Sequence, residues 1–151
     1  MIRNKITVKD SIYRKDEEMY ACLNCYKMSS HLNDCNKDNC QCNIIELDEL
    51  IAPTIIMLNQ KGYKTKYCCS GHYYNSSTTY INFDSNIERF SEIPSGFEYD
   101  QDVVNSKQVF KAGNTIRKHY NQNKYIEKYN EVIKSNKELL KWAINLPYLE
   151  K

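Results

Sequence analysis

Residues 22–42, CLNCYKMSSHLNDCNKDNCQC, contain five of the chain's seven cysteines and decide how its first third can fold. The stretch has almost no hydrophobic periodicity, and its asparagines favour turns. A segment with so few apolar side chains cannot be ordered by their burial alone. We therefore expect a bound metal ion to order it.

The ends and the composition of the chain predict a reducing environment for these thiols. Residues 1–10, MIRNKITVKD, lack the apolar centre of a signal peptide, and no run approaches the roughly 20 apolar residues of a membrane span. We therefore expect a cytoplasmic protein without a membrane partner. In that compartment an odd number of cysteines indicates metal binding or reactivity before disulfides.

The cysteine spacing predicts zinc as the cofactor. A pair separated by two residues, Cys22 and Cys25, can bind one ion from a single tight turn, and Cys40 and Cys42 can complete a tetrahedron of sulfur. Thiolates are soft ligands, which suit zinc better than hard cations. The predicted ligands are Cys22, Cys25, Cys40 and Cys42.

Two further residues compete for a place in this zinc site. Cys35 or His31 can replace one of the four thiolates. The spacing Cys22-x2-Cys25-x5-His31-x3-Cys35 resembles a retroviral zinc knuckle, although the histidine is one place late and the knuckle's glycine is missing. A set of free thiols without metal is the remaining alternative.

Helical spacing follows the cysteines. Asn43 and Glu46 lie three residues apart, as at a helix start, and Gly62 is a good stop. Pro53 should kink this helix or mark its true start. The apolar side chains at helical spacing are Leu47, Leu50, Ile51, Ile55 and Leu58.

Strand patterns and a second helix complete the chain. Residues 63–68 and 80–84 alternate as strands, and residues 108–111 and 115–119 flank a turn, which predicts a hairpin. From about Asn121 the pattern is helical up to Pro147, with Lys128 on the water-facing side. The apolar face is predicted to hold Tyr125, Tyr129, Val132, Ile133, Leu140, Ala143 and Ile144.

These elements predict one α+β domain over residues 1–151. The composition, 41% hydrophobic and 26% charged, is typical of a globular protein. We expect a small mixed or antiparallel sheet, a helix before the strand at Tyr63 and a long C-terminal helix. A zinc-held segment, residues 20–43, precedes them.

A second motif, Lys66-Tyr-Cys-Cys-Ser-Gly-His72, ends one of the predicted strands. Alternation puts Cys68 and Cys69 on opposite faces, and a turn at Gly71 would aim Cys69 and His72 at one point. The backbone N–H groups of residues 70–72 could form a concave anion site. A purely structural turn, a ligand pocket and a second metal site all remain open. The predicted ligand-binding residues are Lys66, Cys69, Ser70, Gly71 and His72.

Charge and aromatic residues give limited support for a phosphate-bearing ligand such as a nucleotide or RNA. The net charge of +2 provides no general attraction for nucleic acid, so any basic surface must be local. Lys64 and Lys66 share a predicted strand face, and neighbouring tyrosines could stack on bases. A solvated strand face is the alternative. The tyrosines are Tyr67, Tyr73 and Tyr74.

Three runs of this sequence resemble small proteins of clostridial-type bacteria and their phages, which carry a helix, KGY-T, CCSGH and then a strand. The runs are residues 58–72, 80–83 and 93–97, within about 50–118. Cys69, Ser70 and Gly71 also resemble the Cys-Ser-Gly strand end of the wybutosine-synthesis tRNA methyltransferase family, which has arginine where this chain has His72. That resemblance implies an α/β layer fold and places the motif near an active site.

Three functions follow as expectations. The first is a zinc-binding protein that binds a nucleotide, RNA or another phosphate-bearing ligand at the strand end, as a phage regulator or an inhibitor of host defence. The second is a nucleic-acid-modifying, methyltransferase-like enzyme. The third is a protein–protein inhibitor that uses the zinc segment and the last helix, with the CCSGH motif purely structural.

Overall fold

The computed structural model describes residues 18–31, 40–72, 78–120 and 125–150. These residues form an α+β fold of antiparallel sheets with a helix before the central sheet and a long C-terminal helix, which confirms the predicted class. The helices are α1 (Ala52–Gln60) and α2 (Tyr125–Asn145). The strands are β1 (Glu18–Cys22), β2 (Met28–Ser29), β3 (Ile44–Asp48), β4 (Thr65–Cys69), β5 (Thr79–Phe83), β6 (Glu98–Tyr99), β7 (Val103–Asn105), β8 (Gln108–Phe110) and β9 (Asn114–Lys118).

The first sheet has the order β2-β1-β3, and β3 corrects the predicted helix start at Asn43 and Glu46. Ile45 and Leu47 pack on the core while Glu46 between them is exposed, which is the alternation of a strand. The helix begins at Ala52, with Pro53 in its first turn, where a missing N–H group costs nothing. Of the two roles predicted for Pro53, marking the true start is therefore correct.

The central sheet has the order β4-β5-β9-β6, and its pairing corrects the predicted hairpin of residues 108–119. β8 pairs with β7 instead, and β9 pairs with β5 and β6. Ile116 of β9 lies opposite Ile81 of β5, and both side chains are fully buried. Burial of this cross-strand pair fixes β9 in the centre of the sheet.

Helix α2 packs on α1 and on the central sheet, through a face that differs from the predicted one. Lys128 is buried rather than solvated, and Ile144 is half exposed rather than buried. The ring of Trp142 stands edge-on to the rings of Phe83 and Phe90, with centroids 6.5 and 4.8 Å away. The buried residues of this face are Lys128, Val132, Ser135, Asn136, Leu139 and Ala143.

A buried lysine from outside helix α2 caps its C-terminal end. Lys61 lies just after α1 with 5% of its surface exposed. Its Nζ donates to the backbone oxygens of Ala143 at 3.1 Å, Ile144 at 2.5 Å and Leu146 at 2.6 Å. The last carbonyls of a helix have no partner within it and carry partial negative charge, so an ammonium group there stabilises the helix end.

Some exposed apolar side chains lie outside the two elements predicted to contact a protein. The two-stranded ribbon of β7 and β8 leaves Val103, Val104 and Val109 more than half exposed. The elements predicted from the sequence to contact a protein also expose apolar side chains, Met28 in the zinc segment and Ile144 in the last helix. Within the described ranges, neither helix is both long enough and apolar enough to cross a membrane.

Candidate metal centres

Three thiols converge where the first sheet meets its connecting loops. Cys22 ends β1, and Cys40 and Cys42 lie just before β3. The Sγ atoms of Cys22 and Cys40 are 3.6 Å apart, and all three sulfurs lie within 4.8 Å of one another. Zinc–sulfur bonds of about 2.3 Å in a tetrahedron put the sulfurs about 3.8 Å apart. This group could therefore hold a metal ion.

Backbone hydrogen bonds shape a tight turn after Cys22. The N–H of Tyr26 donates to the Cys22 oxygen at 2.7 Å, and the N–H of Cys22 donates to the Lys27 oxygen at 3.0 Å. Tyr26 adopts a φ of 61°, in the left-handed region that bulky residues avoid unless the surroundings impose it. Leu23 N–H donates to the Asn43 oxygen at 2.9 Å, which joins this turn to the segment that carries Cys40 and Cys42.

The sulfur of Cys22 is prepared to be a thiolate. Burial alone would raise the pKa of this thiol. Hydrogen bonds from the backbone of Cys25, Asn43 and Asn24 and from the side chain of Cys25 outweigh that effect and lower the pKa to about 6. N–H groups directed at a sulfur stabilise its negative charge, as they do around a metal-bound thiolate. The side-chain hydrogen bond places Cys25 next to Cys22, but Cys25 is not among the three residues whose sulfurs all lie within 4.8 Å of one another.

The predicted substitute ligands have different outcomes. His31 is exposed and lies outside the thiol group that the described residues form. Its backbone N–H donates to Ser29 Oγ at 3.0 Å. Cys35 lies outside the described residues.

A second convergence occurs at the end of β4. The Sγ of Cys69 is 3.4 Å from Nε2 of His72, so the turn brings together the two side chains that the sequence singled out. Oδ2 of Asp48, at the end of β3, is 3.8 Å from the same nitrogen. The three ligand atoms lie within 4.8 Å of one another.

Asp48 was missed from the sequence because residues 43–58 were interpreted as a helix. The available signal was the apolar–polar alternation of Ile45, Glu46, Leu47 and Asp48, followed closely by Pro53. A strand ending at Asp48 would have placed a carboxylate at a sheet end. It would not by itself have placed it beside β4.

The backbone of the turn is bonded to the same side chains. Ser70 N–H donates to Asp48 Oδ2 at 3.0 Å, and Gly71 N–H donates to Cys69 Sγ at 3.5 Å. Two of the three N–H groups expected to form an open anion site are therefore used within the protein. Their acceptors are the Asp48 carboxylate and the Cys69 sulfur, so these two N–H groups do not form the open anion site that the sequence predicted.

The other side of the turn is anchored to the core. The Ser70 oxygen accepts hydrogen bonds from Thr79 Oγ1 at 2.7 Å and Asn136 Nδ2 at 2.9 Å, and Thr79 Oγ1 also bonds to the Tyr120 hydroxyl. Gly71 has a φ of 85°, and a Cβ there would lie 2.7 Å from Thr79 Oγ1. The turn is thus fixed by β5 and α2. Sequence reasoning did not find Thr79, Tyr120 or Asn136, because hydrogen bonds between distant segments leave no local pattern.

The neighbouring residues of the motif have separate environments. Cys68 packs against the hydrophobic core, and burial, with the charges of Asp48 and Cys69, raises the pKa of its thiol to about 12. It therefore stays protonated and acts as a small core residue. Lys66 and Tyr67 are exposed at an irregularity in β4. Tyr73 and Tyr74 lie outside the described residues.

Comparisons with protein-family models, with curated proteins and with solved structures found no match. The resemblances to clostridial and phage proteins and to the wybutosine methyltransferases stay predictions. The two side-chain clusters are therefore the features that indicate a function.

Proposed function

We propose that this chain is a zinc-binding protein that recognises a phosphate-bearing ligand at the end of β4. The four predicted thiolates, Cys22, Cys25, Cys40 and Cys42, would hold the metal. The separation of 3.6 Å between the sulfurs of Cys22 and Cys40, with N–H groups directed at Cys22, is the observation that carries the zinc site. Closed coordination by four thiolates is typical of structural zinc.

The metal would order the loops rather than the strands. Ala21 and Leu47 belong to the main hydrophobic core, and Met19 and Ile45 pack against it, so β1 and β3 have apolar support of their own. None of the described residues from Cys22 to Asn43 belongs to that core. Structural zinc in small peptides contributes on the order of 10 kcal/mol, which is ample to order these turns.

Metal analysis tests the zinc site. Protein purified without chelator should contain zinc, and Cys22→Ser should lower its zinc content by one equivalent, while Cys68→Ala, outside the thiol group, should not. Limited proteolysis after chelation should cut first within residues 22–43. Zinc-free protein, or equal zinc in Cys22→Ser and the wild type, would contradict the site.

Asp48 changes what the phosphate ligand requires. Its carboxylate oxygen lies 3.8 Å from the His72 imidazole and accepts the N–H of Ser70, so it stands at the point where an anion was expected. A phosphate bound to the Ser70 N–H would have to displace the Asp48 carboxylate and would be repelled by its negative charge. A phosphate oxygen fits this position when a cation lies between it and Asp48.

Thermal-shift measurements test the ligand. We expect a nucleoside triphosphate or a short RNA to stabilise the protein in the presence of zinc and not in chelator, and His72→Ala to abolish the effect. A ligand at 100 times its Kd stabilises by about 2.7 kcal/mol, which a melting curve resolves easily. Equal stabilisation in chelator, or none under either condition, would refute the phosphate ligand. S-adenosylmethionine in the same screen tests the methyltransferase alternative.

A further inference from the structure

We propose that Asp48, Cys69 and His72 form a second metal site, for a divalent ion of the zinc class, with one coordination position open to water or to a ligand oxygen. This inference deepens the proposed function by assigning the cation at the strand end. It depends on different residues from the thiol group. The two sites can therefore fail separately.

The distances match three ligands of one ion. Tetrahedral zinc with bonds of about 2.3 Å to sulfur and about 2.0–2.2 Å to nitrogen and oxygen separates sulfur from nitrogen by about 3.6 Å and nitrogen from oxygen by about 3.4 Å. The corresponding separations are 3.4 Å from Cys69 Sγ to His72 Nε2, and 3.8 Å from that nitrogen to Asp48 Oδ2. Each differs from the ideal by a few tenths of an ångström, so an ion fits with small side-chain movements.

The same distances disfavour a Cys-His-Asp catalytic triad. In a triad the acid orients the histidine through one ring nitrogen while the nucleophile contacts the other. Here Cys69 and Asp48 both approach Nε2. The Asp48–His72 distance of 3.8 Å is also too long for a hydrogen bond. Convergence of a soft sulfur, an imidazole nitrogen and a carboxylate oxygen on one point is the arrangement of metal ligands.

The surroundings hold two of the three ligands in place. Ser70 N–H fixes Asp48 Oδ2, and Gly71 N–H fixes Cys69 Sγ, so each anionic ligand has a hydrogen bond from the turn between Cys69 and His72. Thr79 and Asn136 hold that turn through the Ser70 oxygen. Such supporting bonds orient metal ligands and increase metal affinity.

All three residues of this site are partly exposed. The side chains of His72 and Asp48 are 18% and 26% exposed, so the site reaches solvent. Three protein ligands leave the fourth tetrahedral position for water or for a phosphate oxygen, as at zinc sites that bind substrates. This open position supplies the cation that a phosphate requires beside Asp48.

Metal stoichiometry of matched variants tests the inference. Apo-protein titrated with Zn²⁺ or with Co²⁺ should bind two equivalents. Asp48→Asn and His72→Ala should each bind one, and Cys22→Ser should lose the other. The control His119→Ala, which removes an exposed imidazole, should keep two. Co²⁺ bound to Cys22→Ser should give a weaker sulfur-to-cobalt absorption than Co²⁺ bound to His72→Ala, because one thiolate replaces four.

A measurement on the wild-type protein tests the second site without relying on variants that could misfold. The ¹⁵N shift of His72 Nε2 should change with the second equivalent of Zn²⁺ and reverse with chelator. An unchanged shift, or equal stoichiometry in His72→Ala, Asp48→Asn and the wild type, overturns the second site while leaving the thiol site intact. If only Cys22→Ser loses a metal equivalent, the second site is likewise overturned and the thiol site is retained.

Discussion

Replacement of Lys61 by methionine should destabilise the protein through the end of helix α2. The change keeps most of the buried aliphatic chain and removes the ammonium group that binds three backbone oxygens. A hydrogen bond from a charged group contributes about 1.5–3 kcal/mol, so three give at least about 4.5 kcal/mol. Water that reaches the freed carbonyls offsets part of this loss. We expect a net loss of about 3 kcal/mol.

Thermal and urea unfolding followed by tryptophan fluorescence measure this loss. Trp142 is the only tryptophan, and it packs between α2 and the central sheet, so its emission reports the docking of the helix. A loss of 3 kcal/mol should lower the Tm by about 9 °C for a domain of this size. The urea midpoint should fall while the slope stays constant.

Lys64→Met is the matched control, because Lys64 lies three residues further on with an exposed side chain. Surface changes of this kind usually stay within about 0.5 kcal/mol. If Lys61→Met unfolds within 1 kcal/mol of this control, the three hydrogen bonds do not stabilise the helix end, and the reasoning is refuted.

Further predictions concern the turn and its supports. Gly71→Ala should cost about 2 kcal/mol or more in urea unfolding, because its φ of 85° is strained for alanine and its Cβ would meet Thr79 Oγ1 at 2.7 Å. Gly113→Ala, with a φ of 73° and its nearest atom at 3.6 Å, should cost less; equal losses would mean that steric contact is unimportant. Thr79→Val should lose about 1–2 kcal/mol with the bond to the Ser70 oxygen, and Thr79→Ser should retain most of it. Burial raises the pKa of Tyr63 above its usual 10.0, so its neutral form stabilises the fold below pH 10 and this contribution disappears as the pH rises through the raised value. Tyr63→Phe should therefore flatten the decline of stability above pH 10, and an unchanged alkaline slope would assign that decline to other groups.

The sequence predicted the features that local patterns encode. The cysteine spacing predicted that Cys22, Cys25, Cys40 and Cys42 share one ion, and the structure brings Cys22, Cys40 and Cys42 together but leaves Cys25 outside that group. Cys69 and His72 were expected to converge because Gly71 between them can adopt the positive φ of a tight turn, and their side-chain atoms lie 3.4 Å apart.

Features that depend on distant partners were not predicted. Residues 44–48 contain too few positions to separate a strand from a helix, and pairing with β1 decides the outcome. The predicted hairpin was wrong because β9 pairs with β5 and not with β8. Burial of Ile116 opposite Ile81 stabilises this pairing more than the short connection between β8 and β9 favours a hairpin. Asp48 joins its cluster only through this pairing, since it lies more than 20 residues from Cys69 in the chain.

The pairing of β1 with β3 connects the two clusters mechanically. The ladder extends from Cys22 opposite Ile44 to Glu18 opposite Asp48, about 14 Å at the usual rise per residue. A slip by one position would point Asp48 away from the turn and, in the same movement, take Leu47 out of the core. Inserting or deleting a single residue between Cys42 and Asp48 would therefore damage both clusters without altering any ligand. Homologues that keep both should vary in length elsewhere before they vary in this segment.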